Sequence, residues 1–175
     1  MSELGWTWAN GLPFSKLKIH VFPRPNARMF ILVHDLGRGA EGRVWLAATT
    51  SGSACVIKFS LKRNEVALQD ECKLWNDVWH QHARVITLAK SPALLMPFVK
   101  PLTEEEWQDR DKSQLVRTAV QELVDHGVRH DDLHRRHVGL HKGRVIIFDL
   151  SQTSPVEEQK KGEAADYMLV RLGLM

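Results

Sequence analysis

Thirteen residues from Val128 to Leu140, VRHDDLHRRHVGL, concentrate three histidines, two aspartates and three arginines among apolar neighbours. Three kinds of chemistry use such residues. Imidazoles could bind a metal: His130 and His134 are spaced as on a zinc-binding helix, with His137 nearby. Gly127 and Gly139, however, bound a loop rather than a helix, and the pattern lacks the glutamate of HExxH. Arginines could bind nucleic acid through Arg129, Arg135 and Arg136. Against this, 24 basic residues stand beside 21 acidic ones, a formal net charge of only +3, so charge alone argues weakly for a polyanion. The third chemistry is a catalytic loop. A blander reading of His130 is a buried histidine bracing the loop backbone.

Further chemistry-bearing residues lie outside this stretch. Asp149 follows the apolar run VIIF and precedes Leu150 and Ser151. Lys58 is the one charged residue in the apolar run ACVIKF. A lysine on a buried strand face needs a carboxylate beside it. Glu71 fits best, because its spacing from Leu68 and Trp75 places it on the buried flank of a helix; Glu65, near the frayed helix start, is the runner-up. Upstream, LGRGAEGRV places Gly37, Gly39, Gly42 and Val44 in the pattern G-x-G-x-x-G-x-V. Glycines there let backbone N–H groups approach phosphate oxygens without obstruction by a Cβ. A strand follows this loop, where a dinucleotide-binding fingerprint requires a helix.

The elements that must hold these residues follow from hydrophobic periodicity. Leu17, Ile19 and Val21 alternate with polar residues as in a half-buried strand, which Pro23 and Pro25 end. MFILVH, RVWLAAT and ACVIKF read as three strands of an antiparallel meander. Asn64 caps a helix whose stripe is Leu68, Cys72, Trp75 and Trp79. ALLMPFV is a short buried strand running into a connector. Thr103 with Glu106 has the form of a capping box, and Ser113 offers a second N-cap. Leu115, Ala119, Val120, Leu123 and Val124 form an amphipathic stripe that Gly127 closes as a C′ residue. Val138–Leu140 and Arg144–Phe148 make a hairpin around Lys142-Gly143, and the C-terminal stretch is helical.

The 175 residues are 43% hydrophobic and 26% charged, ordinary values for a globular domain with a real core. Cys55 and Cys72 form no CxxC, which suits a reducing compartment. SELGWTWANG after Met1 lacks the features of a signal peptide, and no apolar run reaches transmembrane length. The chain is expected in cytoplasm or nucleus, without a membrane partner.

Taken in order, the glycine loop between strands, the strand lysine, the helix glutamate, HxDL, the hairpin and the following aspartate resemble the protein-kinase-like superfamily over Ile31 to Thr153. The resemblance implies an α+β fold. A 1–28 extension would precede a 29–99 lobe with an antiparallel sheet and one helix, and then a reduced helical lobe over 100–175. It implies ATP with Mg2+ (or Mn2+) as cofactors. Gly37, Gly39, Gly42 and Val44 would cover the nucleotide; Lys58, held by Glu71, would contact its phosphates; Met96 and Val99 would line the adenine site. Asp132 and His134 would serve catalysis, and Asp149 with His137 would hold the metal. A histidine two residues after the loop aspartate is more similar to small-molecule phosphotransferases and atypical kinases than to ordinary protein kinases. Phrases such as ECKLW, HDDLHRRHVGL and VIIFDLS resemble the compact kinase-like domains of Crinkler-type effectors of oomycetes and fungi.

The pattern departs from the family in three places. His137 occupies the asparagine position, and imidazole suits zinc or manganese better than magnesium. Ser151 replaces the glycine of D-F-G. Only 26 residues follow Asp149, too few for a full activation segment and helical lobe. Two functions are therefore expected: an ATP-dependent phosphotransferase acting on a hydroxyl of a protein substrate or other acceptor, or a pseudokinase that engages a protein partner or a second copy of itself. Nucleic-acid binding is a weaker third.

Overall fold

A computed structural model describes residues 20–22, 30–38, 42–49, 52–60, 64–88 and 90–175. It is a mixed α+β chain with antiparallel sheets and four helices. Two compact units divide it: Met1–Lys73 with His82–Phe98, and Leu74–Gln81 with Val99–Met175.

The first unit is built on a six-stranded sheet. Its strands are β1 (His20–Phe22), β2 (Phe30–Arg38), β3 (Gly42–Thr49), β4 (Ala54–Ser60), β5 (Arg84–Leu88) and β6 (Ser91–Pro97), in the order β1-β2-β3-β4-β6-β5. The apolar runs read as a meander form β2, β3 and β4, and RVITL adds β5, a strand the periodicity had not indicated. Val21 pairs with Ile31; Leu17, Ile19, Pro23 and Pro25 lie outside the described residues. One face packs Phe30, Leu32, Trp45, Ile57 and Leu95 into a core. On the other face, register sets Lys58 opposite Val44 and Leu94, and Val56 opposite Leu46 and Met96. Burial on both faces explains why the β4 sequence is almost continuously apolar rather than alternating. Helix α1 (Glu65–Trp79) starts at Asn64, whose side-chain oxygen accepts from the Ala67 N–H at 3.2 Å.

In the second unit Thr103 and Glu106 close the capping box of α2 (Glu104–Gln108). The longer α3 (Arg110–Asp125) begins earlier than the sequence reading placed it. Asp109, not Ser113, is its N-cap, with Oδ1 accepting from Asp111 N at 2.7 Å and Lys112 N at 3.2 Å. The buried stripe starts at Val116, whereas Leu115 is exposed. Each residue advances a helix by about 100°, so a phase error of one residue moves a side chain from core to solvent. Gly127 ends α3 at φ +70°, donating to Val124 O at 2.8 Å. Strand β7 (Lys100–Pro101) precedes α2, and β8 (Val128–His130), β9 (Val138–His141), β10 (Arg144–Ile147) and β11 (Thr153–Pro155) follow α3. Strands β9 and β10 form the expected hairpin, with Lys142 and Gly143 both at positive φ as a type I′ turn requires. Gly139 in β9 lies against β7: a Cβ there would sit 2.3 Å from Lys100 O. Helix α4 (Lys161–Leu172) packs on α3 and buries Ala164, Met168 and Leu172.

Candidate functional site

Each unit carries some of the residues singled out in the sequence. In the first, Lys58 Nζ donates to Glu71 Oε2 at 2.8 Å and Oε1 at 3.1 Å. Both side chains are nearly sealed, at 5% and 2% exposure. The ammonium is on β4 and the carboxylate on α1, so the pair ties helix to sheet. Glu71, not Glu65, is the partner; Glu65 is exposed and accepts from Gln69 Nε2.

The glycine pattern sits at the β2–β3 turn, where Arg38 pairs with Arg43; Gly39 lies outside the described residues. Gly37 has φ +139°, open to glycine and strained for other residues. At Gly42 a Cβ would come within 2.5 Å of Phe59 O and 3.4 Å of Lys58 Cγ, so its backbone runs hard against the lysine strand. Val44 faces Lys58 across the register. A residue not singled out beforehand braces this turn. The Asp35 carboxylate accepts from Arg43 Nε at 3.0 Å and from Gly37 N at 3.1 Å, and the Arg43 guanidinium holds its pKa below the usual carboxylate value. Met96 and Val99, the expected adenine contacts, are buried in β6 and just before β7.

In the second unit, Asp132, His134, His137 and Asp149 come together around the β9–β10 hairpin. Strands β8 and β11 pair on either side of this segment, through Thr153↔His130 and Pro155↔Val128. Backbone bonds from Asp131 N to Gln152 O (2.9 Å) and from Val156 N to Gly127 O (2.8 Å) extend the closure. Within it, Phe148 N donates to His137 O at 2.8 Å, and the buried His130 donates from Nε2 to Phe148 O at 3.3 Å. His130 thus ties the loop to the residue before Asp149. Asp149 itself is exposed and left-handed at φ +60°. A non-glycine residue held there is a local cost the surrounding structure must impose. Its Oδ1 accepts from Ser151 Oγ at 3.1 Å, which gives that serine a definite contact.

Asp132 is partly exposed, and its Oδ1 lies 3.0 Å from His134 Nε2. A carboxylate only accepts, so that nitrogen carries the proton and donates. The third imidazole is held differently. His137 stacks on His130, centroids 5.5 Å apart and planes 14° from parallel, with His134 and Phe148 against its edges. Its Nε2 accepts from Arg136 Nε at 3.0 Å, which leaves the ring neutral with its proton on Nδ1. Burial depresses the pKa of both His130 and His137, against an opposing pull from Asp149.

A hard cation such as Mg2+ takes oxygen ligands. The exposed Asp149 carboxylate fits that demand. His137 as arranged does not, since its Nε2 lone pair is engaged by Arg136. Among the described residues no three His, Cys, Asp or Glu side chains gather as a metal cluster, and the stacked rings of His130 and His137 do not converge on a common point. Cys55 is no nucleophile, because burial pushes its thiol up to about 12.

Fold and site together define an α+β protein with a buried lysine–glutamate pair in one unit and a His–Asp loop closed by backbone pairing in the other. The chain belongs to a protein family of unknown function (DUF5898), which matches residues 35–141. The match begins at Asp35 and spans the glycine turn, Lys58, Glu71, Asp132, His134 and His137. No curated protein matches the chain. Among the described residues no helix is long and apolar enough to cross a membrane.

Proposed function

We propose that this chain is an ATP-dependent phosphotransferase of the atypical-kinase type. The observation that carries the reading is the sealed Lys58–Glu71 pair. Removing a lysine and a glutamate from water costs several kcal/mol per ion even after relaxation, on the order of what their attraction returns. A pair kept at that cost, beside a glycine turn whose backbone abuts the lysine strand, points to a phosphate-binding task for the ammonium.

In this reading Glu71 orients Lys58, which donates to the nucleotide phosphates while the glycine turn covers them. Met96 and Val99 supply the apolar and backbone contacts of the adenine ring. Asp149 would hold a Mg2+ (or Mn2+), whose charge offsets that of the phosphates. Asp132 accepts the proton of the acceptor hydroxyl as its oxygen attacks the γ-phosphorus and the bond to the β,γ-bridging oxygen breaks, releasing ADP. His134, donating to Asp132, fixes the carboxylate rotamer. His130 positions Asp149 through the Phe148 carbonyl.

A second reading, a pseudokinase that acts through a protein partner, draws support from His137. In the asparagine position it presents an imidazole whose Nε2 is already engaged by Arg136. A thermal-shift titration with ATP and Mg2+ or Mn2+, followed by radiolabelled γ-phosphate transfer to a generic acceptor, separates the two. Phosphotransfer predicts metal-dependent stabilisation lost in Lys58→Met and Asp149→Ala, and transfer lost in Asp132→Ala. Transfer unchanged in both aspartate variants would refute it. Stabilisation without any transfer would favour the pseudokinase.

A further inference from the structure

Two arginines beside Asp132 are held in the same unusual way. Arg136 is tethered by Nε to His137 Nε2 (3.0 Å) and points Nη2 at Asp132 Oδ2 from 3.9 Å. Arg171, on α4, is tethered by Nε to Leu133 O (3.4 Å) and points Nη2 at Asp132 Oδ1 from 3.7 Å. Charge-assisted N–H···O bonds run at about 2.7–2.9 Å, so neither guanidinium makes a full hydrogen bond to the carboxylate it faces. Arg171 Nη2 also lies 3.3 Å from His134 Nε2, which already spends its proton on Asp132. Asp132 Oδ1 is thus the acceptor that both groups face, closely by His134 and at a distance by Arg171.

The mounting of Arg171 is firm. Its helix buries Met168 and Leu172, Tyr167 Oη donates to Asp131 O at 3.2 Å, and Arg135 Nε donates to Leu172 O at 3.0 Å. The neighbouring Asp131 carboxylate is taken up by Arg129 at 2.8 Å and Ser154 at 3.1 Å, so it adds little repulsion. Both guanidiniums remain open to solvent, at 68% and 37% exposure.

We propose that Arg136 and Arg171 form a seat for a tetrahedral oxyanion beside Asp132, taking a phosphate group. Anchoring by Nε leaves the terminal nitrogens of each fork for the ligand, and guanidinium geometry suits phosphate. The seat deepens the phosphotransfer reading and rests on it only for which phosphate is held: the one in transit, or one already on the acceptor next to its hydroxyl. The Asp132–Arg contacts loosen as the oxyanion takes the donors, which frees the carboxylate to face the hydroxyl.

Calorimetric titration of the full chain with inorganic phosphate at low ionic strength tests this. Wild type is expected to bind saturably, and Arg136→Gln and Arg171→Gln are each expected to weaken binding at least tenfold, read on variants that urea unfolding shows to be folded. Arg171→Lys, which keeps charge but loses the Nε tether, should fall between. If Arg171→Gln does not fold, the more exposed Arg136→Gln carries the test. No saturable binding by wild type, or binding unchanged in the folded glutamine variants, overturns the seat. Displacement by Mg2+-ATP assigns the seat to the transferring phosphoryl group, and displacement by O-phosphoserine alone assigns it to the acceptor. Displacement by neither overturns its placement at the reacting centre. Phosphate binding through both arginines in a chain that ATP does not stabilise would sustain the seat and refute phosphotransfer.

Discussion

Replacing Glu71 by leucine takes the carboxylate away from the Lys58 ammonium in a site only 5% exposed. Breaking a buried pair from one side costs about 3–5 kcal/mol, because the remaining charge loses its partner without regaining water. Lys58→Met should cost a similar amount for the mirror-image reason. Against a total stability of roughly 5–15 kcal/mol, either change removes a large share. With a urea dependence of about 1–3 kcal/mol per molar, the unfolding midpoint should drop by roughly 1–5 M. The double variant K58M/E71L removes both charges and fills the site with apolar atoms. It should recover to within about 1 kcal/mol of wild type or exceed it, since apolar replacements of buried pairs are often neutral or stabilising. Urea denaturation of all four proteins gives the coupling energy directly. The double variant should also show no ATP-dependent stabilisation, where wild type at a hundredfold excess over Kd gains about 2.7 kcal/mol. Singles costing under about 1 kcal/mol, or a double equal to their sum, would refute the argument that the pair is costly and kept for nucleotide binding.

Other outcomes follow from the same geometry. His130 and His137 have pKa values lowered by burial, so the unfolded chain binds more protons just below its own imidazole pKa. Stability should therefore fall as pH drops through about 6.5, and urea midpoints across that range would show it; a flat profile would contradict neutral buried rings. His137→Asn should flatten this profile and raise Mg2+-dependent transfer by restoring an oxygen ligand, read by kinetics with Mg2+ against Mn2+. Gly139→Ala should destabilise by about 1–3 kcal/mol or more, because its Cβ would meet Lys100 backbone atoms that cannot rotate away; thermal melting measures it. Thr103→Ala and Asp109→Ala should each cost about 1 kcal/mol through a lost cap, checked by the same melts.

Much of the first unit was legible because its strands are long apolar runs and its helix has a clear stripe. The Lys58–Glu71 pairing was readable for the same reason: helical spacing put Glu71, and not Glu65, on the buried flank. The β5 strand escaped because RVITL is only five residues long and shows no clean alternation of apolar and polar residues. In α3, Asp109 and Ser113 are both good cap residues by type, and the structure puts the cap at Asp109, with Ser113 inside the helix. Three-residue strands such as β8 and β11 carry no periodicity at all, and their pairing joins segments distant in sequence. Arg136 and Arg171 were invisible as a pair for a related reason. One lies in the loop and the other on α4, and long flexible side chains leave no spacing signature of where their ends will meet.

The β8–β11 closure has a consequence for how this chain can change over time. From Asp131 to Gln152 the segment is fastened at its mouth by main-chain pairing that includes Pro155 opposite Val128 and so depends on backbone groups rather than side chains. The positions of Asp132 and Asp149 are thus fixed by backbone and not by their own carboxylates. Substitution at either leaves the frame standing, so chemistry can be lost, exchanged or regained there without passing through an unfolded protein.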